Sequence, residues 1–275
     1  MAISFDKLRR SIDDTKPPIT LIYGVDGIGK TSLAAEFPNP VYLPTKGERP
    51  PSDVDIDIPG TLESWADVEA AFGFLLSGEH DYQTVIIDSL DGLAPSIERM
   101  TADRIGAASI DDNSKGSPAS YGNGMKESEV EWTDFMDGCD ALRAAGMFVV
   151  LIAHPEIKRF DSPLTDPYDR YQIGINKRAA PLVRSKCDIV AFMNKRVSIK
   201  EKEIAPKKSI AHAEGGKEIL IHLNEGAGFV AKNRYSMPDS VVYRKGNGFA
   251  ELSKYFPQSA NDTAPTGAAT RRKAA

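Results

Sequence analysis

Cysteine is scarce in this sequence, with only Cys139 and Cys187 among 275 residues. Two cysteines are too few for a disulfide scaffold or for a zinc site built on thiolates. We expect both to be small, buried, apolar residues. Such sparse usage is typical of proteins from a reducing cytoplasm, and this is where we expect the protein to be located.

Long apolar stretches are also lacking. No run approaches the ~20 residues that a membrane-spanning helix needs, and the first residues alternate between charged and apolar types instead of forming a signal peptide. A net charge of −5 gives no global excess of positive charge for nucleic acid. We therefore expect a soluble protein without a membrane partner, in which any binding of nucleic acid depends on local basic patches.

The composition is otherwise that of an ordinary globular protein, with 41% hydrophobic and 27% charged residues. We predict a leader at residues 1–17, one α/β domain at residues 18–256 and a C-terminal tail at residues 257–275. The tail is rich in Ala, Thr, Ser and Asn and is expected to be disordered.

Apolar periodicity predicts strands and helices that alternate along the domain. The predicted strands of a parallel sheet are residues 19–23, 41–43, 84–88, 147–153 and 189–193. The predicted helices begin at residue 31 and then span residues 62–76, 90–105, 130–145 and 177–187. Residues 54–58 suggest an edge strand and residues 155–176 a loop. Antiparallel strands are expected late in the chain, at residues 196–199, 218–223 and 228–231.

The sequence Gly-Val-Asp-Gly-Ile-Gly-Lys-Thr at residues 24–31 matches G-x-x-x-x-G-K-[ST] at every fixed position. It lies between a predicted strand and a predicted helix, a context that a chance Gly-rich turn would lack. Glycines let backbone N–H groups converge on phosphate oxygens, Lys30 can reach the β- and γ-phosphates, and the Thr31 hydroxyl can ligate Mg²⁺. The predicted nucleotide-binding residues are Gly24, Val25, Asp26, Gly27, Ile28, Gly29, Lys30, Thr31 and Ser32.

A second phosphate-site element follows at residues 84–88, where a β-branched, apolar strand ends in Asp88. A carboxylate at the carboxyl end of a buried parallel strand is the form of a Walker B element, which faces Mg²⁺ through water. The alternative is a strand that merely ends in a polar residue. We predict that Asp88, with Thr31, holds the metal.

Two further residues are candidates for catalysis near the phosphates. His154 ends the predicted strand 147–153 and could sense the γ-phosphate, although a structural histidine is an equal alternative. Glu48 follows the second strand and could orient the attacking water. Lys46 occupies the position where an acid would be expected, so a solvated loop glutamate is the alternative for Glu48.

Basic residues suggest two more functions. Lys232 and Arg234 form a short basic step that could reach into a neighbouring subunit's phosphate site as an arginine finger, or could be plain surface charge. Four other cations flank the segment after His154, with tyrosines between them, in a pattern that suits single-stranded DNA. These predicted DNA-binding residues are Arg159, Arg170, Lys177 and Arg178. The aspartates interspersed among them weaken the pattern.

Taken together, these residues resemble the RecA-like ATPase core, and most closely the phage-encoded nucleotide-binding proteins of the Sak-four type of single-strand annealing recombinase. The resemblance covers residues 18–256. Beyond the two phosphate-site elements, its motifs are Tyr121-Gly122-Asn123-Gly124, Leu151-Ile152-Ala153-His154, Tyr168-Asp169-Arg170-Tyr171, Asn176-Lys177-Arg178-Ala179-Ala180 and Lys232-Asn233-Arg234-Tyr235.

The resemblance implies an α/β fold with a RecA-like P-loop NTPase core, a mainly parallel sheet flanked by helices and a C-terminal antiparallel hairpin extension. It implies an ATPase that binds ATP and Mg²⁺, assembles with its own copies into a ring or filament and acts on single-stranded DNA in phage recombination. A host-cell cytoplasm and a single-strand-binding protein as partner follow from the same likeness. Lys232 and Arg234 are similar to the trans-acting finger of DnaB-type helicases, and His154 falls where relatives carry a γ-phosphate sensor.

Three alternatives share the same phosphate site. A ring-shaped DnaB-type DNA translocase or helicase would have the same core and finger. A P-loop small-molecule kinase would use the 155–178 segment as an Arg-rich lid. A nucleotide-gated binding module with negligible turnover is the third alternative, and it is favoured by the lack of an acid just after the second strand, where the sequence has Lys46.

Overall fold

The computed structural model describes residues 15–163, 165–205 and 208–257. The leader predicted at residues 1–17 lies outside the described residues apart from its last three positions. The tail predicted at residues 257–275 lies outside them apart from residue 257. None of the helices in the described ranges is long and apolar enough to cross a membrane.

Ten strands and seven α-helices follow one another along the described chain. The strands are β1 (Ile19–Gly24), β2 (Pro40–Pro44), β3 (Thr84–Asp88), β4 (Phe148–Ala153), β5 (Pro155–Phe160), β6 (Tyr168–Ile173), β7 (Ile189–Ala205), β8 (Lys208–His222), β9 (Lys232–Asn233) and β10 (Ser240–Tyr243). The helices are α1 (Lys30–Ala34), α2 (Trp65–Ser77), α3 (Leu90–Ile105), α4 (Asn123–Glu127), α5 (Glu129–Ala144), α6 (Ala179–Lys186) and α7 (Gly248–Ser253).

The central sheet has the strand order β10-β8-β7-β1-β4-β3-β2, and β9 pairs with β7. The five strands from β7 to β2 are mutually parallel, whereas β8, β9 and β10 are antiparallel to their neighbours. The carboxyl ends of β1, β4 and β3 therefore meet at one edge of the sheet, where ligands bind in open α/β folds.

The central strands are buried on both faces because helices cover both. Val85 and Ile87 of β3 pack into a core with α2, α3, α5 and α6, whereas Ile86 packs into a second core with α1 and α7. This alternation is the two-residue period of a strand. It explains why the predicted strands are continuous apolar runs instead of alternating ones.

The helix boundaries follow local capping signals. Ser64 and Asp67 form a capping box that begins α2 three residues after the predicted start, and Gly78 ends the helix with a φ of 72°. The helix α3 has the predicted bounds, and the Ser89 side chain accepts a hydrogen bond from Gly92 N at 3.1 Å. These ends are therefore encoded by residues within the first and last turns.

Three secondary-structure predictions are wrong. Residues 155–176, predicted as a loop, form the β5–β6 hairpin, because Phe160 and Tyr168 pack at 5.5 Å between ring centroids and Arg170 lies 4.1 Å above the Phe160 ring. The edge strand at residues 54–58 is only an isolated bridge between Val41 and Asp57. The strand predicted at 228–231 is instead the two-residue strand β9 at 232–233.

Candidate functional site

The phosphate loop connects β1 to α1 and depends on glycine at two kinds of position. Gly27 and Gly29 have φ values of 68° and 102°, in the left-handed region that favours glycine. Gly24 is needed for a different reason, because a Cβ atom there would collide with the carbonyl oxygen of Met193 on β7. The three glycines of the loop thus shape its backbone and let the adjacent strand approach it.

Lys30 lies over this loop with only 6% of its surface exposed. Its Nζ donates hydrogen bonds to the carbonyl oxygens of Gly24 at 2.8 Å and Val25 at 3.3 Å, and the Asp26 carboxylate lies 4.0 Å away. Burial lowers the pKa of Lys30, and the charge of Asp26 opposes that shift. The ammonium group is therefore held against the backbone of the phosphate loop.

Asp88 and Thr31 are in direct contact, as expected for a metal site. Asp88 Oδ2 accepts hydrogen bonds from Thr31 Oγ1 at 2.8 Å and from the Tyr42 hydroxyl at 2.9 Å. Only 3% of Asp88 is exposed, and this burial raises the pKa of its carboxyl group. A hydroxyl and a carboxylate are hard oxygen ligands of the kind that Mg²⁺ takes, so these residues fit the metal.

Glu48 reaches the same cleft through the turn after β2. Glu48 N donates to Thr45 O at 3.1 Å, and Gly47 has a φ of 97°, so the chain turns back and leaves Lys46 exposed. Glu48 Oε1 accepts a hydrogen bond from Ser89 Oγ at 3.3 Å. Burial raises the pKa of Glu48, and the charge of Asp88 adds to that shift. Glu48 therefore lies within the cleft and not on a solvated loop.

His154 lies at the end of β4, between β1 and β3. Its Nδ1 is 2.8 Å from Asp91 Oδ2, and its backbone N–H donates to Asp91 Oδ1 at 2.9 Å. Its Nε2 is 3.2 Å from Asp26 Oδ1 on the phosphate loop. The hydrogen bond in which the Asp91 carboxylate is the acceptor raises the pKa of His154 against the effect of burial. The side chain thus bridges α3 and the phosphate loop.

These groups line one cleft of about 610 Å³ at the carboxyl edge of the sheet. The lining residues are Asp26, Gly27, Gly29, Lys30, Thr31, Ser32, Glu48, Arg49, Pro51, Asp88 and His154. Arg49 was missed by sequence reasoning, although its place beside Glu48 was a usable signal. Tyr42 and Asp91 were also missed, because their contacts with Asp88 and His154 depend on strand order.

Lys232 and Arg234 lie away from this cleft and contact the C-terminal end of α6. Lys232 Nζ donates to the carbonyl oxygens of Arg184 at 2.8 Å and Ser185 at 3.1 Å. Arg234 donates to Ser185 O at 2.9 Å and lies 3.3 Å from the buried Asp188 carboxylate. Both cations therefore have partners within their own chain, while 53% of the Arg234 side chain stays exposed.

The four predicted DNA-binding cations differ in their surroundings. Arg159 pairs with Asp161 and both side chains are exposed, and Arg178 lies 3.3 Å from Glu129. The Arg170 side chain is only 10% exposed and lies 2.9 Å from Glu225.

Arg170 and Lys177 line a groove of about 210 Å³ between the β5–β6 hairpin and α6. Lys158 and Arg184, which sequence reasoning did not single out, line it too. Arg159 and Arg178 are not among the residues that line this groove, so the structure brings together only two of the four predicted cations.

Residues 16–235 match the family described as an AAA domain, AAA_24. The SPbeta prophage-derived uncharacterized protein YorG of Bacillus subtilis (strain 168) is 30% identical over 142 residues, which are 50% of this chain and 40% of that protein. The chain thus spans less than half the length of this relative.

Among solved structures, the flagellar accessory protein FlaH from Methanocaldococcus jannaschii aligns over 85% of this chain and 88% of its own. The two share 10% sequence identity at a TM-score of 0.37. The family match and the strand order together confirm the predicted fold class, a RecA-like P-loop core with a mainly parallel sheet, flanking helices and late antiparallel strands. Annealing of single strands stays a prediction.

Proposed function

Since the chain belongs to the AAA_24 family of AAA domains, we propose that it binds ATP with Mg²⁺ at the carboxyl edge of the sheet and hydrolyses it. One observation carries this proposal. Lys30, Asp88, Glu48 and His154 come from separate parts of the sequence and line one cleft with the phosphate loop. Convergence of these residue types from several elements is typical of a catalytic site.

Each residue has a distinct role in the proposed hydrolysis. Lys30 and the loop N–H groups bind the phosphates, and Thr31 with Asp88 would hold Mg²⁺, which neutralises charge on the phosphates when bound. Glu48 takes a proton from the attacking water as the new bond to the γ-phosphorus forms and the bond to the β-phosphate oxygen breaks. Its raised pKa makes it a stronger base than an exposed glutamate.

We propose that ATP hydrolysis is coupled to work on single-stranded DNA, which the protein would anneal or pair during phage recombination. The groove beside the β5–β6 hairpin supports this proposal because several cations line it. One of its walls is β5, the strand that directly follows His154 in the chain. The prophage-derived relative fits a phage context in a host-cell cytoplasm. Assembly into a ring or filament would let Lys232 and Arg234 reach a neighbour's cleft, and a single-strand-binding protein is the proposed partner.

The alternative of a small-molecule kinase is less well supported. A kinase lid needs arginines that can close over the phosphates, whereas Arg170 is largely buried and paired with Glu225. The alternative of a DnaB-type helicase predicts closed rings and ATP-driven strand separation. Direct assays of phosphate transfer and of strand separation can therefore distinguish both alternatives from the proposed function.

The proposed function is tested by ATP turnover with and without single-stranded DNA across a salt series, with Glu48→Gln as the matched variant. We expect turnover that DNA stimulates, a stimulation that falls as salt rises, and a loss of about 100-fold or more in Glu48→Gln. Turnover without any response to DNA would leave only the ATP site. Phosphate transfer to a nucleoside would favour the kinase.

A further inference from the structure

Asp91 holds His154 through both of its carboxylate oxygens. Oδ1 accepts the backbone N–H of His154 at 2.9 Å, and Oδ2 lies 2.8 Å from the ring Nδ1. Asp91 is in the first turn of α3, the helix that follows the Walker B strand directly. Two bonds to one residue fix both the strand end and the ring orientation.

The other ring nitrogen of His154 faces the phosphate loop. Nε2 lies 3.2 Å from Oδ1 of Asp26, which is itself 4.0 Å from Lys30 Nζ. The Asp26 side chain is 89% exposed, so it can leave this position without disturbing the core. A carboxylate oxygen and a phosphoryl oxygen are both anionic acceptors and make the same kind of contact with an imidazole N–H.

We propose that Asp91 is a positioning residue that presents His154 Nε2 as a donor to the terminal phosphate of a nucleoside triphosphate, and that the Asp26 carboxylate stands in for that phosphate in this structure. The inference rests on the proposed nucleotide site. It adds a reason for the site to distinguish ATP from ADP, because only ATP carries a γ-phosphate that can displace Asp26 from Nε2.

The charges around the ring favour this role. An Nδ1–H that donates to Asp91 leaves Nε2 as a donor only when the ring is protonated. Asp91 and Asp26, which contact the ring, favour that form together with the nearby Glu48 and Asp88, while Lys30 opposes it. The resulting rise in the pKa of His154 keeps the donor available toward neutral pH and removes it as the pH climbs through the raised pKa.

The test is an imidazole ¹⁵N NMR titration of wild type and Asp91→Asn, with the His154 signals assigned from His154→Gln. In wild type we expect a raised pKa for His154, and a shift of its Nε2 resonance with a non-hydrolysable ATP analogue but not with ADP. In Asp91→Asn we expect a lower His154 pKa and no distinction between the two nucleotides. Turnover should fall by about 10-fold to 100-fold while ATP affinity changes little.

Two further variants complete the test. Asp103→Asn alters an exposed acid of the same helix, paired with Arg99, and should leave every readout as in wild type. Asp26→Asn should lower the His154 pKa in the free protein but not with the ATP analogue bound. If Asp91→Asn still binds ATP but its His154 pKa equals that of wild type, this inference is overturned and the proposed function is not. If the wild-type protein binds neither ATP nor ADP, the proposed function is overturned, and the contact between His154 and the phosphate is overturned with it.

Discussion

The two ends of the parallel sheet contrast in how their charged residues are used. At the amino end, Asp188 accepts a hydrogen bond from Ile19 N at 2.9 Å and lies 3.4 Å from Arg143 Nε and 3.3 Å from Arg234 Nη1. At the carboxyl end, Lys30 is held by backbone carbonyls, and its nearby acid, Asp26, is exposed at 4.0 Å.

This contrast separates cations that stabilise the fold from those that can bind a ligand. The amino-end charges neutralise one another and cap α6, so they contribute to the chain's own stability. The carboxyl-end charges line an open cleft, and Lys30 has its nearest carboxylate, that of the exposed Asp26, at 4.0 Å. The same residue types are therefore structural at one end and available for chemistry at the other.

The contrast between the two ends of the sheet is tested most strongly by comparing Asp88→Asn at the carboxyl end with Asp188→Asn at the amino end. Each change keeps the side-chain shape and removes the charge. We expect Asp88→Asn to lower ATP hydrolysis by about 100-fold or more, because a metal ligand is lost, with no loss of folding stability. Asp188→Asn should remove the buried negative charge that Arg143 and Arg234 share and lower the free energy of unfolding by about 2 to 3 kcal/mol. Urea denaturation and ATP turnover measure the two effects.

The pH dependence of the free energy of unfolding gives a separate prediction for Asp88→Asn. Burial raises the pKa of Asp88 in the folded state, so the folded state is stabilised while this carboxyl group is protonated. This contribution to the free energy of unfolding is lost as the pH rises through the raised pKa. The stability of Asp88→Asn relative to wild type should therefore improve from pH 4 to pH 7. A steeper fall of the variant's stability over that range would contradict the assigned burial of Asp88.

Arg234→Ala sharpens the comparison at the amino end. If Arg234 also acts in a neighbour's cleft, hydrolysis should fall by about 10-fold to 100-fold while ATP affinity stays nearly intact. The lost contacts with Asp188 and Ser185 should lower stability by only about 1 kcal/mol. Arg99→Ala, an exposed arginine paired with Asp103, is the control. A normal turnover rate for Arg234→Ala would remove the finger assignment and leave the structural role.

The smallest expected effect concerns the basic groove. Lys177→Ala should weaken binding of single-stranded DNA a few-fold and reduce the slope of log affinity against log salt by about 0.7, the contribution of one phosphate contact. The exposed Lys254, which pairs with Glu251, provides the matched control. Fluorescence anisotropy across a salt series measures both, and equal slopes for the two variants would argue against the groove.

Local signals in the sequence were sufficient for the phosphate loop, the Walker B strand and α3. Gly27 and Gly29 adopt the positive φ that glycine tolerates best, and the continuous apolar run ending at Asp88 reflects burial on both faces. Such features depend on neighbours within a few residues and on the strand period. They could therefore be predicted without knowledge of the tertiary contacts.

The remaining features depend on contacts between distant residues. The strand residues of the β5–β6 hairpin are mostly half-buried and only Ile173 is fully buried, so the hairpin lacks the clear apolar alternation of a strand with one buried face. Glu36 of the segment after α1 accepts hydrogen bonds from the backbone N–H groups of Gly246 at 2.7 Å and Phe249 at 3.1 Å and anchors the start of α7, more than 200 residues away in the chain. The role of Asp91 likewise exists only because β4 lies between β1 and β3.

The most direct test of the account is isothermal titration of Mg·ATP into wild type, Lys30→Ala and Lys186→Ala. Lys186 lies at the other end of the fold, where it pairs with Asp137. The account predicts that wild type and Lys186→Ala bind ATP equally and that Lys30→Ala loses about 100-fold or more in affinity, because a buried phosphate-contacting charge is removed. Binding of ATP by Lys30→Ala with the affinity of wild type would contradict the assignment of the cleft as the nucleotide site.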